Sequence, residues 1–282
     1  MPTDTDADLV DLLTSGDLTP VGRIVDSSNG ALLCSVEPAG SGDAREGAEA
    51  DADGDGEPVL VIHKPEVSER PLWDYPDGTL VARERAAYLL SAAGGFDVVP
   101  PTVLRNGPLG PGSVQLWIGP VAGEPEPLVD VTPADAVPDG WVVVIEGESP
   151  GGRPVVVSHS REPALRTVAV FDAVLNNSDR KGGHLLRDGD IVRGCDHGVS
   201  LGVEPKLRTV LWGWAGEPVP DTDLARVETL LDALGQGLAD ELEALLTRAE
   251  VAALRSRAER LLRSRRHPVP QPGWPAIPWP AL

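Results

Sequence analysis

One continuous stretch, residues 162 to 198, restricts the architecture more than any other part of the chain. From Glu162 to Asn176, Leu165, Val168, Ala169, Phe171, Asp172, Val174 and Leu175 recur at helical spacing, a broad and mainly apolar face that predicts a packed helix. The helix runs into Asn176-Asn177-Ser178-Asp179-Arg180-Lys181-Gly182-Gly183-His184. Residues Gly183 to Arg193 then read as a hairpin, with Leu185, Leu186, Ile191 and Val192 around an Asp188-Gly189 turn, and the stretch closes on Cys195-Asp196-His197-Gly198. Two carboxylates, Asp179 and Asp196, are thereby delivered from Gly-containing turns at either end of one short hairpin. Phosphoryl transfer needs acids placed in this way. One orients or deprotonates the attacking hydroxyl and the other holds the magnesium that bridges the phosphates, because the chemistry is mostly positioning and charge neutralisation.

The basic side chains support the same reading. Of 24 Lys and Arg residues only Lys64, Lys181 and Lys206 are lysine. A compact ammonium is what a nucleotide phosphate site uses as a point charge. Lys64 ends the strand Val59-Leu60-Val61-Ile62-His63-Lys64, which Pro65 stops, and alternation puts it on one face with Leu60 and Ile62. A helix over Leu80 to Ala93, capped by Asp77 or Thr79, carries Glu84, a candidate partner to hold Lys64 toward phosphates.

Composition limits the alternatives. A hydrophobic share of 41% over 282 residues suffices for a sizeable core. The net charge of -20 opposes a nucleic-acid or anionic-membrane partner. No apolar run reaches membrane-spanning length and the first residues do not resemble a signal peptide, so no integral membrane segment and a cytoplasmic location are expected. Two cysteines, Cys34 and Cys195, make no disulfide framework and read as packing residues. One segment inverts the charge balance: Ala252 to His267 carries Arg255, Arg257, Arg260, Arg263, Arg265 and Arg266 against Glu259, an arginine-rich helix with an internal docking face.

Four regions are expected. Residues 1–20 form an extension with a short helix that Pro20 closes. Residues 21–119 form a five-stranded antiparallel sheet with one helix. Its strands are a hairpin from Gly22 to Glu37 turning at Ser27-Ser28-Asn29-Gly30, the Lys64 strand, Val99 to Val103, and Ser113 to Ile118. Within it, residues 38–57 read as a disordered acidic loop. Asp51-Ala52-Asp53-Gly54-Asp55-Gly56 mimics the start of a calcium loop there, but Ile62 stands where the bidentate Glu belongs. Residues 120–267 begin with a Pro-rich connector to residue 140 and a hairpin from Trp141 to Ser158. After the acidic turns, two or three helices follow from Thr222 to Arg266. Residues 268–282, rich in Pro and Trp, are expected to pack as an extended strap that covers Trp274, Trp279 and Leu282.

The segments Ile62-His63-Lys64-Pro65, Pro71-Leu72-Trp73-Asp74-Tyr75-Pro76-Asp77-Gly78, Ser178 to His184, Cys195 to Gly198 and Lys206 to Trp214 together resemble the bacterial phosphatidylinositol 3- and 4-kinase-like superfamily. The resemblance implies an α+β, bilobal protein-kinase-like fold, with a small antiparallel-sheet N-lobe and a mostly helical C-lobe. It implies ATP in the interlobe cleft with Mg2+, or Mn2+, and transfer of the γ-phosphate to a hydroxyl acceptor. Lys64 becomes the phosphate lysine, paired with Glu84. Ser27, Ser28, Asn29 and Gly30 become the loop over the phosphates, and backbone at Trp117 and Ile118 the adenine contact. Asp179, with Arg180 and Lys181, becomes the catalytic loop, and Asp196 the principal metal ligand. Where the family carries Asn five positions after the catalytic Asp, this chain has His184, a nitrogen donor and candidate second ligand. Lys181 stands where the family has His and would neutralise the γ-phosphate. Lys206 and Arg208 would meet an anionic group of the acceptor, whether protein Ser/Thr, small polyol or inositol headgroup. A nucleotide-binding pseudokinase and an adenylyl transferase are the alternatives. The oligomeric state is open.

Overall fold

The structure is a computed structural model that describes residues 4–24, 30–40, 58–70, 72–76, 79–121 and 126–282. Ser27, Ser28 and Asn29, the calcium-like Asp51 to Gly56, Pro71, Asp77 and Gly78 lie outside the described residues. Helix α1 (Asp4–Ser15) leads into an antiparallel sheet of β1 (Asp17–Arg23), β2 (Leu32–Glu37), β3 (Val59–Pro65), β4 (Thr102–Gly107) and β5 (Gly110–Leu116), ordered β1-β2-β3-β5-β4.

Alternation along the strands gives the sheet two unlike faces. Leu32, Cys34, Val36, Val61, Val103 and Val114 close with Leu13 of α1 into a small apolar core. On the opposite face Leu33 stands across from Ile62, Ile62 from Gln115, and Lys64 from Ser113. Helix α2 (Leu80–Gly94) packs beneath that polar-bearing face, where Arg85 donates to Thr102 O at 2.5 Å and Gln115 Nε2 donates to Thr102 Oγ1 at 2.8 Å. Thr79 caps α2 by accepting from the Ala82 amide, and Glu69 accepts from the amides of Leu80 and Val81. An acidic group there also complements the positive end of the helix.

The helix serves both halves of the molecule. Its Ala86, Ala87, Tyr88 and Leu90 are buried in a second and much larger core, shared with α3 (Pro163–Leu175), α4 (Asp221–Ala233) and α6 (Arg248–Ser264). Leu242 of the short α5 (Ala239–Leu242) joins the same core. Arg83, 2% exposed at its side chain, pairs with Glu250 of α6 at 2.5 Å. Glu250 also completes a capping box with Thr247, so one carboxylate starts α6 and anchors α2. The arginine-rich helix docks as expected through Arg257, which donates to Val174 O and Gly202 O.

A three-stranded sheet ordered β6-β8-β7 completes the architecture, with β6 (Val129–Pro133), β7 (Trp141–Glu148) and β8 (Pro154–Ser160). The hairpin β9 (Leu185–Asp188) and β10 (Ile191–Gly194) follows α3. The fold is α+β with antiparallel sheets, as expected, and three local expectations are corrected. Pro20 does not end the first element. It sits within β1, an edge strand where a missing N–H breaks no ladder, next to a register shift between Pro20 and Gly22. The connector contains β6, whose five residues are too few to show alternation and are fixed by pairing with β8. Trp279 is not covered by the strap but is 87% exposed, and Leu282 is also exposed.

Three histidines away from the acidic turns predict acid sensitivity. His159 donates through Nδ1 to Ser160 O at 2.7 Å and accepts from the Gly213 amide at Nε2, a neutral ring against Trp214. Burial lowers the pKa of His63, and lowers those of His159 and His267 to about 4. Between roughly pH 6.5, where a free imidazole protonates, and about 4, the unfolded chain binds protons that the folded chain excludes. Stability therefore falls as pH falls through that window. Urea midpoints should drop progressively from pH 7 to 4; a flat profile would contradict the burial of neutral rings.

Candidate active site

The site is assembled around one guanidinium. Helix α3 ends at Asn176, whose left-handed backbone at φ 57° Asn tolerates well, and the turn brings Arg180 back onto the helix. Arg180 is fully buried. Its Nε and Nη2 each donate at 2.9 Å to the two oxygens of Asp172, while Nη1 donates to Cys195 O at 2.8 Å and to His184 O at 3.3 Å. His197 Nε2 lies 2.7 Å from Nη2; burial first, and Arg180 second, keep that imidazole neutral, so it accepts. One side chain thus ties the loop after α3 to the turn after β10. Asn177, also buried, donates to Asp172 Oδ1 and accepts from the Asp179 amide at 3.0 Å, setting the backbone from which Asp179 projects.

Across from these loops stands Lys64. Its ammonium donates to Glu84 Oε1 at 2.6 Å and is ion-paired with Asp196 Oδ1. The second oxygen of Glu84 accepts the His197 amide at 3.0 Å, so Glu84 joins the strand lysine to the backbone of the turn after β10. Burial would lower the lysine pKa, but Asp196 and Glu84 outweigh it and hold the ammonium above its ordinary value. Reciprocally, Lys64 holds the half-exposed Asp196 carboxyl below the usual carboxylate range, against burial, with His184 adding to the effect. Asp196 adopts φ 56°, a strained left-handed backbone that Asp tolerates better than most residues and that aims its carboxylate at Lys64.

Asp179 is partly exposed and pairs with Lys181 at 3.1 Å. His184 Nε2 lies 3.3 Å from Asp196 Oδ2, and burial lowers its pKa to about 4, leaving it neutral near pH 7. Its Nδ1 is buried without a hydrogen-bond partner among the described residues. A ligating histidine normally donates its second ring nitrogen to an acceptor that fixes the tautomer, and His184 lacks that support. Among the described residues no group of three His, Cys, Asp or Glu side chains is placed to hold a metal ion. The donor set is therefore one hard oxygen group, Asp196, with one nitrogen beside it. That suits an ion taking its remaining ligands from phosphate and water. Burial pushes the Cys195 thiol up to about 12, as befits a packing residue.

The expected site residues divide into two groups. Lys64, Glu84, Asp196 and His184 are drawn together, and Asp179 with Lys181 is tied to them through Arg180. Arg180 itself is corrected from a catalytic to a positioning residue, because a guanidinium fully buried among protein acceptors does not reach a ligand. Gly30 sits at φ 62° beside Ser68, at the entry to β2. The Trp117 amide donates to Leu60 O at 2.9 Å, so the sheet takes that donor and only the carbonyl side of the expected adenine contact is left at this residue. Lys206 and Arg208 already have protein partners: Lys206 is ion-paired with Asp74, and Arg208 donates to Pro275 O.

No protein-family model matches the chain. It is 43% identical over 280 residues to Protein Rv2133c of Mycobacterium tuberculosis, an alignment covering 96% of this chain and 94% of that one. The chain belongs to the Rv2133c family. Among solved structures it is similar to a Golgi casein kinase, at 12% identity over 94% of this chain and 75% of that one, with a TM-score of 0.47.

Sequence reasoning missed Asp172, Asn177 and Tyr75 as parts of the family member's site. Tyr75 Oη donates to Val199 O at 2.8 Å and contacts Ser178 Oγ, linking the segment before α2 to the loop that bears Asp179. Asp172 did carry a signal, since an acid on a helix face otherwise apolar requires a buried cation. Arg180→Lys tests this assignment. An ammonium cannot reproduce the two-pronged contact with Asp172, and the variant should lose about 3–5 kcal/mol of stability. Thermal melting checks it.

Proposed function

We propose that this protein is an ATP-dependent phosphotransferase of the phosphatidylinositol 3- and 4-kinase-like type, moving the γ-phosphate to a hydroxyl acceptor. One observation carries the reading: Lys64 on β3 joins Glu84 of α2 and Asp196 of the loop after β10, and buried Arg180 ties that loop to the one that bears a second acid, Asp179. In this reading Lys64 holds the phosphates as a point charge, and Glu84 keeps its ammonium from moving toward solvent. Asp179, partly exposed, accepts the proton of the acceptor hydroxyl or orients it. Lys181, 3.1 Å from Asp179, would neutralise charge that develops on the transferred group. Asp196 would hold a magnesium or manganese ion, with His184 orienting its second oxygen. The chemistry such an ion would supply there is neutralisation of phosphate charge. Gly30 would belong to the loop over the phosphates, and the Trp117 carbonyl with Ile118 would face adenine.

The acceptor is a protein Ser/Thr, a small polyol or an inositol headgroup. The net charge of -20 disfavours docking on an anionic lipid surface, and among the described residues no helix is long and apolar enough to cross a membrane. One observation favours a second reading, a nucleotide-binding regulatory module that transfers nothing. Both oxygens of Asp196 already face protein groups, Lys64 and His184, so an ion must compete for them.

ATP labelled at the γ or the α phosphate, offered with protein, polyol and inositol acceptors, separates the readings. Transfer of γ label alone is expected, with Asp179→Ala and Asp196→Ala each reducing it by about a hundredfold or more. Label from the α phosphate would mean adenylyl transfer, and ATP binding without either transfer would mean the regulatory module. Lys181→Ala should lower turnover by about 10- to 100-fold and ATP affinity far less. Equal losses in both would remove the role assigned to that ammonium.

A further inference from the structure

Residues 268–282 take no part in the chemistry above, yet their hydrogen bonds converge on the loops that do. The Gly182 amide donates to Ala281 O at 2.8 Å, and the Thr209 amide donates to Ala276 O at 3.0 Å. Trp212 Nε1 donates to the same Ala276 carbonyl at 2.8 Å. Gly182 directly follows Lys181, and Thr209 forms a parallel bridge with Arg180. Two donors of the acidic loop's own framework are thus satisfied from this segment.

The sequence explains the polarity of the arrangement. Pro268, Pro270, Pro272, Pro275, Pro278 and Pro280 lack an N–H, so the segment offers carbonyls and few donors. A proline-rich chain is also stiff before it docks, which lowers the ordering cost of fixing it. Its fit to the loop is close: a Cβ on Gly182 would lie 2.6 Å from Leu282 Cδ2 and 3.1 Å from Val129 Cβ. At its other end, Trp274 stacks on Trp73 with ring centroids 5.8 Å apart and lies 4.0 Å from the Lys206 ammonium, itself paired with Asp74.

We propose that Trp274 to Ala281 form a positioning strap for the loop bearing Asp179 and Lys181: docked carbonyls fix the backbone at Gly182 and Thr209, and the aromatic clamp at Trp73 and Lys206 holds the strap in place. The loop's catalytic part rests on the phosphotransferase reading, whereas the docking does not. Lys64, Glu84 and Asp196 are bonded to one another's loops rather than to the strap, so nucleotide binding and loop positioning are separable.

Two measurements on the full chain test this. Amide hydrogen exchange is compared among wild type, Trp274→Ala, Gly182→Ala and the double variant Gly182→Ala with Leu282→Ala. Exchange at the Gly182 and Thr209 amides should quicken by about tenfold or more in both single variants, with β3 and α2 unchanged. Removing the Leu282 side chain should restore part of the protection lost in Gly182→Ala. Turnover should fall by about tenfold in Trp274→Ala while ATP affinity stays within about twofold, and Trp274→Phe should recover most of it. Unchanged exchange at both amides would overturn the docking. Quickened exchange throughout, together with lost ATP binding, would overturn the positioning role in favour of a general contribution to stability. Wild type that transfers no phosphate would overturn the phosphotransferase reading, while the exchange comparison still decides whether the strap docks.

Discussion

The arrangement of the whole cleft depends on a cation held entirely out of water. Arg180 is tolerable there because Asp172 meets it along two parallel hydrogen bonds and because carbonyls of Cys195 and His184 take further donors. A buried charge with so many fixed partners has one low-energy arrangement, and two loops separated by a hairpin are consequently locked in relation to each other. Neither acidic side chain touches this guanidinium, yet both are placed by it.

From that bracket the remaining contacts follow in sequence. The turn after β10 presents the His197 amide to Glu84 and the Asp196 carboxylate to Lys64, so a strand of the small sheet and a helix of the large core meet over the same few atoms. The resulting electrostatics are mutually reinforcing: the pair that raises the ammonium pKa depresses that of the acid. Such a cluster remains ionised over a wide pH range.

Much of this was legible in the residues. The Lys64 strand, the Glu84 helix and the hairpin between Asp179 and Asp196 follow from periodicity and turn chemistry, which are local properties, and the α+β class is what the family resemblance implies. What stayed hidden was non-local. The strand β6 is too short to advertise itself, and β1 accepts Pro20 only because it lies at a sheet edge, a fact of topology. Arg180 was misassigned because a basic residue beside a catalytic candidate looks solvent-facing until Asp172 is seen to be under it. Lys206 and Arg208 looked free for a ligand for the same reason, and their partners come from Asp74 and Pro275, remote in sequence.

The anchoring of α2 has a mechanical corollary. Arg83 fastens this helix to α6 and its apolar residues belong to the larger core, while Arg85 bonds Thr102 O and Glu84 bonds Lys64, both on the small sheet. Sheet and helical body are therefore riveted at a single charged point, and replacing either member of the Lys64–Glu84 pair would unfasten the two cores from each other there.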